Sequence, residues 1–364
     1  MNYYEDRKDT TTQRKDYLNS IEKLIEKRQN ECKSKREKYI KKIINEPGKA
    51  REEYFEMLGW PLTIDVTEPL SVEKTLLSCE QDGYNIYRMK LEIFKDFFFY
   101  GLYFEHRNQK NLPFVISQHG GDGTPELCSG LYNRCSELYN GGTANYNNMT
   151  ERVLKRGANV FAPQTLLWHK ENNGIEFDRR DLDSKLKQVG GSIAALEIYC
   201  IKSSLNYFEK QPCIDNDRIG MVGLSYGGFY TLFTMAADTR IKAAVSSAFF
   251  NDRSKYSWSD FTWKCSAEKF FDSEVALLCY PRKLWLSVGE KDELFDIGTA
   301  KSEYKRLCRE IEMCDIKSDW LNFEIHSGTH EFCADDKAID YMFDVGFNQK
   351  HINLRLYIQP CKWK

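Results

Sequence analysis

The hexapeptide Gly223-Leu224-Ser225-Tyr226-Gly227-Gly228 constrains this chain more than any other stretch. The expected strand Arg218-Ile219-Gly220-Met221-Val222-Gly223 leads into it, and Phe229-Tyr230-Thr231-Leu232-Phe233 continues as a helix. A serine between strand and helix must take a tight, strained turn, and small neighbours on both sides leave room for it. Such a turn lifts the Ser225 hydroxyl clear of the sheet and aims the new helix N-terminus at any negative oxygen formed there. Alone, G-x-S-x-G is a weak pattern. Its weight here comes from the strand before it and the helix after it.

Around that turn, strand and helix patterns alternate. Short apolar runs predict strands near 114–118, 159–162, 219–224, 243–248, 283–288 and 321–326. Helical spacing covers 149–156, one long run over 186–208, the segment from Ser225 and the stretch 299–311. This alternation predicts a mostly parallel central sheet flanked by helices. Before it, residues 72–79, 85–94 and 97–106 are β-branched or aromatic-rich, with Asp82-Gly83 as a turn, and read as an antiparallel meander. The first sixty residues differ again. From 10 to 45, Lys, Arg and Glu dominate, and Leu18, Ile21, Ile25, Cys32, Tyr39 and Ile43 form one narrow helical stripe. Pro47-Gly48 ends that helix, and 51–58 reads as a second before Gly59-Trp60-Pro61. The thin stripe favours a solvated helix docked on its own domain. The other option is a homo-oligomer joined through these helices.

Composition narrows the partners. Fifty-two Lys and Arg against 54 Asp and Glu leave a formal charge of −2, so there is no global basic field to hold nucleic acid or a membrane surface. No apolar run approaches the roughly 18 residues of a membrane span. Residues 1–8 lack an apolar stretch, so no secretory leader is expected. The 12 cysteines show no C-x-x-C pair and no metal-ligand spacing, which points to free thiols and a cytoplasmic location.

A nucleophilic serine needs a base and an acid. His330, in Ser327-Gly328-Thr329-His330-Glu331-Phe332, follows the last expected strand and so lies at the carboxyl edge of the sheet. His326 is inside that strand and reads as structural. Asp292, in Gly289-Glu290-Lys291-Asp292-Glu293-Leu294-Phe295, follows the strand before it, with Glu290 and Asp296 as rivals. The order Ser225, Asp292, His330 is that of one serine-hydrolase architecture and not of the others. Gln118-His119-Gly120-Gly121-Asp122-Gly123 follows an earlier strand and can turn backbone N–H groups toward an oxyanion. The expected donors are the amides of Tyr226 and Gly121, with Asp122 the neighbouring option.

These pieces in this order resemble the α/β-hydrolase fold over residues 112–332. Within it, Asp215-Asn216-Asp217-Arg218-Ile219-Gly220, the serine turn, and Leu278-Cys279-Tyr280-Pro281-Arg282-Lys283-Leu284 ahead of Gly289 resemble the dienelactone-hydrolase and acetyl-xylan-esterase relatives. Residues 51–61 are similar to the lead-in of that esterase group. Ser225 stands where dienelactone hydrolases carry cysteine, and His119-Gly120-Gly121 replaces the Arg-Gly-Gln of one acetyl-esterase branch.

The resemblance implies a helical extension at 1–61 and a catalytic domain at 62–364, with insertions near 125–148 and 251–275. It implies a serine carboxylesterase acting on a small-molecule ester, with no metal and no organic cofactor. A peptidase resembling the prolyl oligopeptidase group is the alternative, and a non-catalytic binding protein on the same frame is a second. The insertions carry Tyr132, Tyr139 and Tyr146, and Tyr256, Trp258, Phe261 and Trp263. Trp258 and Trp263 are the candidate substrate-binding faces, with simple packing as the competing account. Asp178, Asp181 and Asp183 imitate a metal site, but read better as the solvated start of a helix.

Overall fold

The computed structural model describes residues 2–80, 83–131, 144–166, 171–172 and 175–347. A nine-stranded sheet organises them: β1 (Ser71–Cys79), β2 (Tyr84–Phe94), β3 (Phe97–His106), β4 (Leu112–Gln118), β5 (Asn159–Pro163), β6 (Ile214–Leu224), β7 (Ile241–Ser247), β8 (Lys283–Gly289) and β9 (Leu321–His326). Their spatial order is β1-β2-β3-β5-β4-β6-β7-β8-β9. The first three are antiparallel, β3 meets β5 antiparallel, and every later pairing is parallel. The mostly parallel sheet expected from the alternation is what the chain forms.

Both faces are covered, so the central strands are apolar on both sides. Phe114 and Ile116 of β4 join the core under one layer of helices, and Val115 between them joins the opposite core. That is the two-residue period of a strand sorting side chains to two faces. The first layer comprises α1 (Thr11–Asn45), α2 (Pro47–Leu58), α5 (Ile193–Phe208), α6 (Tyr226–Ala237), α7 (Asp272–Leu277) and α8 (Ile297–Met313); α3 (Met149–Lys155) lies on the second. Among the described residues, no helix is long and apolar enough to cross a membrane.

Two boundaries differ from expectation. Pro47 ends α1 but also begins α2, where its missing N–H costs nothing at the first helical position. The single helical run expected over 186–208 is two helices, α4 (Arg179–Gln188) and α5, parted by Gly190-Gly191. A side chain on Gly191 would meet the Trp60 carbonyl oxygen at 2.6 Å, so the break is where the chain entering from α2 passes. Ser192 then caps α5, accepting from the Ala195 N–H at 3.1 Å and donating to the Leu58 carbonyl at 2.6 Å. The N-terminal helices pack on the core: Ile40, Ile43, Tyr54 and Leu58 are buried in it. The outer half of α1 is different, with Tyr17, Leu18, Leu24 and Ile25 exposed.

Candidate active site

Strand register brings distant residues together at one sheet edge. Gln118 of β4 lies opposite Gly223 of β6, so the loops after the two strands are neighbours. Gly289 of β8 lies opposite His326 of β9, which sets the segments carrying Asp292 and His330 side by side.

Ser225 sits at φ 59°, ψ −119°, outside the regions open to most side chains. The turn can hold that conformation because its neighbours are fixed. The Ser225 N–H donates to the Ser247 carbonyl at 2.9 Å. A side chain on Gly227 would meet the Gln118 carbonyl oxygen at 2.1 Å, and one on Gly223 the Gly227 oxygen at 2.2 Å. Only glycine lets the new helix pass this close to β4. Strain of order 1–3 kcal/mol is usual for such a residue at a functional site.

His330 and Ser225 line one cavity of about 500 Å³ with Gly121, Tyr226, Tyr146, Trp258, Leu294 and Phe295. His330 Nδ1 lies 2.9 Å from Asp292 Oδ2. Asp292 also accepts from the Leu294 and Phe295 N–H groups at 2.8 and 3.0 Å. Burial alone would raise its pKa, but the His330 hydrogen bond and charge and these two N–H donors together hold it below the usual carboxylate value. An ionised carboxylate only accepts, so in the neutral imidazole Nδ1 carries the proton and Nε2 the lone pair. Phe295 stacks beside the imidazole, centroids 5.8 Å apart. Of the rival acids, Glu290 is exposed. Asp296 is taken up capping α8, accepting from the Thr299 N–H at 2.8 Å.

His119 has the same tautomer and a different use. Its Nδ1–H donates to the Gly120 carbonyl at 2.7 Å, and Nε2 accepts from the Thr165 N–H at 3.0 Å. Burial pushes it down to about 4, so it stays neutral and braces the glycine loop. Gly121 and Tyr226 line the same cavity as Ser225. The first-turn amides of a helix such as α6 lack intrahelical acceptors, which leaves the Tyr226 N–H available in the way an oxyanion donor must be.

The two tryptophans part company. Trp258 lines the cavity and packs against Phe295 at 5.8 Å. Trp263, expected beside it, lies instead in the core, 6% exposed and stacked on Phe229 at 6.0 Å and 11°. Its face is used up by packing. Tyr132 and Tyr139 lie outside the described residues. The aspartates of α4 hold no metal-like arrangement: Asp178 caps the helix, and Asp183 is buried, accepting from the Ile193 N–H at 3.0 Å. Asp183 is therefore not the solvated residue expected. Among the described residues, Glu324, Cys333 and Asp335 bring possible ligand atoms within 4.8 Å. Asp335 is paired with Lys337 at 2.5 Å, and burial raises the Cys333 thiol to about 12, which makes it a poor ligand.

Behind the serine turn lies a buried polar network that sequence reasoning missed. Arg179 donates to Asp260 at 2.9 Å, to Tyr230 at 2.7 Å and to the Leu166 carbonyl at 2.7 Å, and pairs with Glu197 at 3.2 Å. The Tyr226 hydroxyl donates to the same Asp260 oxygen at 2.9 Å. Leu294, Phe295 and Leu127 also line the cavity unforeseen. Phe295 is buried while Leu294 is 49% exposed at the cavity mouth, and nothing in the sequence around Asp292 separates the two.

The chain superposes on a glucuronoyl esterase of Solibacter usitatus with a TM-score of 0.55, over 84% of this chain and 91% of that one, at 14% identity. Acetyl xylan esterase 1 of Thermoanaerobacterium sp. JW/SL YS485 gives 0.52 over 83% and 94%, at 15%. This is the α/β-hydrolase fold. A methylesterase gives a TM-score of 0.58 over 90% of this chain and 67% of its own, at 16% identity. At such identities the likeness is one of fold. By sequence, residues 201–274 match the prolyl oligopeptidase family, a stretch that carries Ser225 and stops before Asp292 and His330. A 31.7 kDa protein of the traX-finO intergenic region of Escherichia coli is 40% identical over 78 residues. That match spans 21% of this chain and only 27% of the relative.

Proposed function

We propose that this α/β-hydrolase-fold protein is a serine carboxylesterase that removes short, acetyl-like acyl groups from carbohydrate-like or aromatic alcohols. The observation that carries this reading is a single cavity holding Ser225 together with a His330 whose Nδ1–H is tied to Asp292. His330 Nε2 takes the Ser225 proton as Oγ bonds to the ester carbonyl carbon. The Tyr226 and Gly121 amides stabilise the oxyanion. His330 then protonates the leaving alcohol as its C–O bond breaks. Water, deprotonated by the same imidazole, attacks the acyl-serine and releases the acid. None of these steps calls on a metal or an organic cofactor. Trp258 offers a flat face to the alcohol side, and Leu294 and Phe295 supply apolar wall. Esterases among the proteins of like fold support the substrate class.

The match of residues 201–274 to the prolyl oligopeptidase family favours a second reading, a serine peptidase. Purified protein assayed on acyl esters of graded length, acetylated sugars and a proline-containing peptide amide separates the two. Preference for acetyl esters, lost by several orders of magnitude in Ser225→Ala, supports the esterase. Comparable cleavage of the peptide amide moves the protein to the peptidase class, and near wild-type turnover by Ser225→Ala removes the serine from the mechanism.

A further inference from the structure

Two parts of the candidate site belong to loops with no shared backbone: the glycine loop after β4 and the histidine loop after β9. A third segment, residues 144–148, bonds to both. Toward the glycine loop, the Tyr146 hydroxyl accepts from the Gly120 N–H at 2.8 Å. It fills the space above Gly123, where a side chain would come within 1.9 Å of it. Toward the histidine loop, the Asn145 carbonyl accepts from the Phe332 N–H at 2.8 Å. The Asn147 side-chain amide donates to the Phe332 carbonyl at 2.5 Å and to Glu331 at 3.3 Å. Glu331 in turn accepts from the Thr329 N–H at 3.1 Å, so the bonds close around His330.

The backbone of this segment is shaped for the task. Asn147 and Asn148 both have positive φ, 45° and 54°, and asparagine tolerates that region better than most side chains. The reversal carries the chain straight into α3. There Arg152 donates to the Asn147 carbonyl at 3.3 Å and to the Cys333 carbonyl at 2.8 Å, fastening the segment and the histidine loop to one helix. Tyr146 is 5% exposed, so its bond to Gly120 is well shielded from water.

We propose that residues 145–147 are a clasp that holds the oxyanion loop and the base loop in register, with Tyr146 and Asn147 as its positioning residues. The inference rests on the serine-hydrolase reading of the site, and it gives residues 145–147 a task inside the catalytic apparatus. Neither side chain is assigned a proton transfer. They act by placing Gly121 and His330 relative to Ser225, and misplacement of about 1 Å in such a constellation can lower the rate by roughly a hundredfold.

The test uses the rate at which a fluorophosphonate probe labels Ser225, because labelling needs the base and the oxyanion donors but no knowledge of the natural ester. Tyr146→Phe and Asn147→Ala should each slow labelling by about tenfold or more, and the double variant by little beyond the worse single one, as expected of one shared device. Backbone hydrogen exchange supplies the reading that a purely local role would not move. Asn147→Ala should speed exchange at Gly120, across the clasp, and Tyr146→Phe should speed it at Phe332. With a working ester in hand, kcat should fall while KM stays within about twofold. Wild-type protein labelled at Ser225, with variants labelled equally fast, would overturn the clasp and leave the hydrolase reading standing. Exchange confined to each variant's own loop would also overturn it. Wild-type protein that takes no label at Ser225 would overturn both.

Discussion

Replacing Asp292 by Asn changes one oxygen to nitrogen, and the structure dictates where that nitrogen goes. Asp292 Oδ1 is held by the Leu294 and Phe295 N–H groups at 2.8 and 3.0 Å. An amide at this position must keep its oxygen there, since two donors cannot face an NH₂ group. The NH₂ then occupies the place of Oδ2, 2.9 Å from His330 Nδ1. A donor facing Nδ1 forces the proton of the imidazole onto Nε2, the nitrogen that accepts from Ser225 in the proposed mechanism. The variant is folded, bonded and in the wrong tautomer. The expected loss in kcat is about four orders of magnitude, or ~5.5 kcal/mol in the barrier, with KM little changed. Asp292→Ala makes the opposite trade. It leaves the imidazole free to choose its tautomer, so the loss in kcat should be smaller. It also strips both N–H groups of their acceptor; the Leu294 N–H turns to water, and loss of the part-buried Phe295 bond should lower stability by about 1 kcal/mol. Steady-state kinetics on a short activated ester and urea unfolding should therefore rank the two variants in opposite orders. A mild Asp292→Asn variant, or a crippling Glu290→Gln, would refute the assignment.

Trp258→Ala should lower kcat/KM for a bulky-alcohol ester more than for a minimal acetate, whereas Trp263→Ala should cost about 3–5 kcal/mol of stability without changing that ratio. Gly227→Ala drives a methyl against the Gln118 carbonyl and should displace the serine turn, seen as loss of both labelling and thermal stability. Acid stability carries two opposed contributions. His119 has its pKa lowered from 6.5 to about 4, so the unfolded chain binds the extra proton between those values and stability falls on acidification, by order 3 kcal/mol. Burial raises Glu303 to about 7 against Arg306, so there the folded chain binds the extra proton and stability falls as pH rises from about 4.5 to 7. In urea series at several pH values, the deficit of His119→Gln relative to wild type should shrink toward pH 4, and that of Glu303→Gln toward pH 7. Parallel curves would refute both assignments.

What was legible in the sequence is what depends on backbone alone. Gly223 and Gly227 stand where a methyl would strike a carbonyl oxygen, so the turn around Ser225 is written in residues that cannot be anything else. The same holds for parallel strands buried on both faces, whose apolar runs mark them. The division between α4 and α5 was written too, as Gly190-Gly191-Ser192, but it was overridden by the apolar spacing on either side. Periodicity reports which face is buried and says nothing about a chain crossing from elsewhere, which is what Trp60 does at Gly191. The outer half of α1 shows the converse. Its stripe continues the spacing of Cys32 and Ile43, yet Leu18 and Ile25 are 54% and 52% exposed because the helix outruns the body it packs on.

Side-chain direction in the insertions was not legible, for a physical reason. Trp258 and Trp263 share one aromatic loop, and a short 3₁₀ turn at Ser259–Phe261 separates them. That turn places one indole on the cavity and the other against Phe229. No pattern across residues 258–263, without helix or strand periodicity, fixes such a choice. The Arg179 network was hidden in another way. Asp260 and Glu197 read as ordinary surface charges until an arginine from another segment arrives to meet them, at 2.9 and 3.2 Å. A buried ion pair is costly to desolvate, and breaking it from one side costs about 3–5 kcal/mol more. Asp260 also accepts from the hydroxyl of Tyr226, the residue after Ser225. The polar groups least visible in the sequence thus lie one bond from its most visible motif. A variant series confined to Ser225, Asp292 and His330 would leave that support untouched, and Asp260→Asn, which keeps an acceptor for Tyr226 but drops the charge opposite Arg179, separates the two roles.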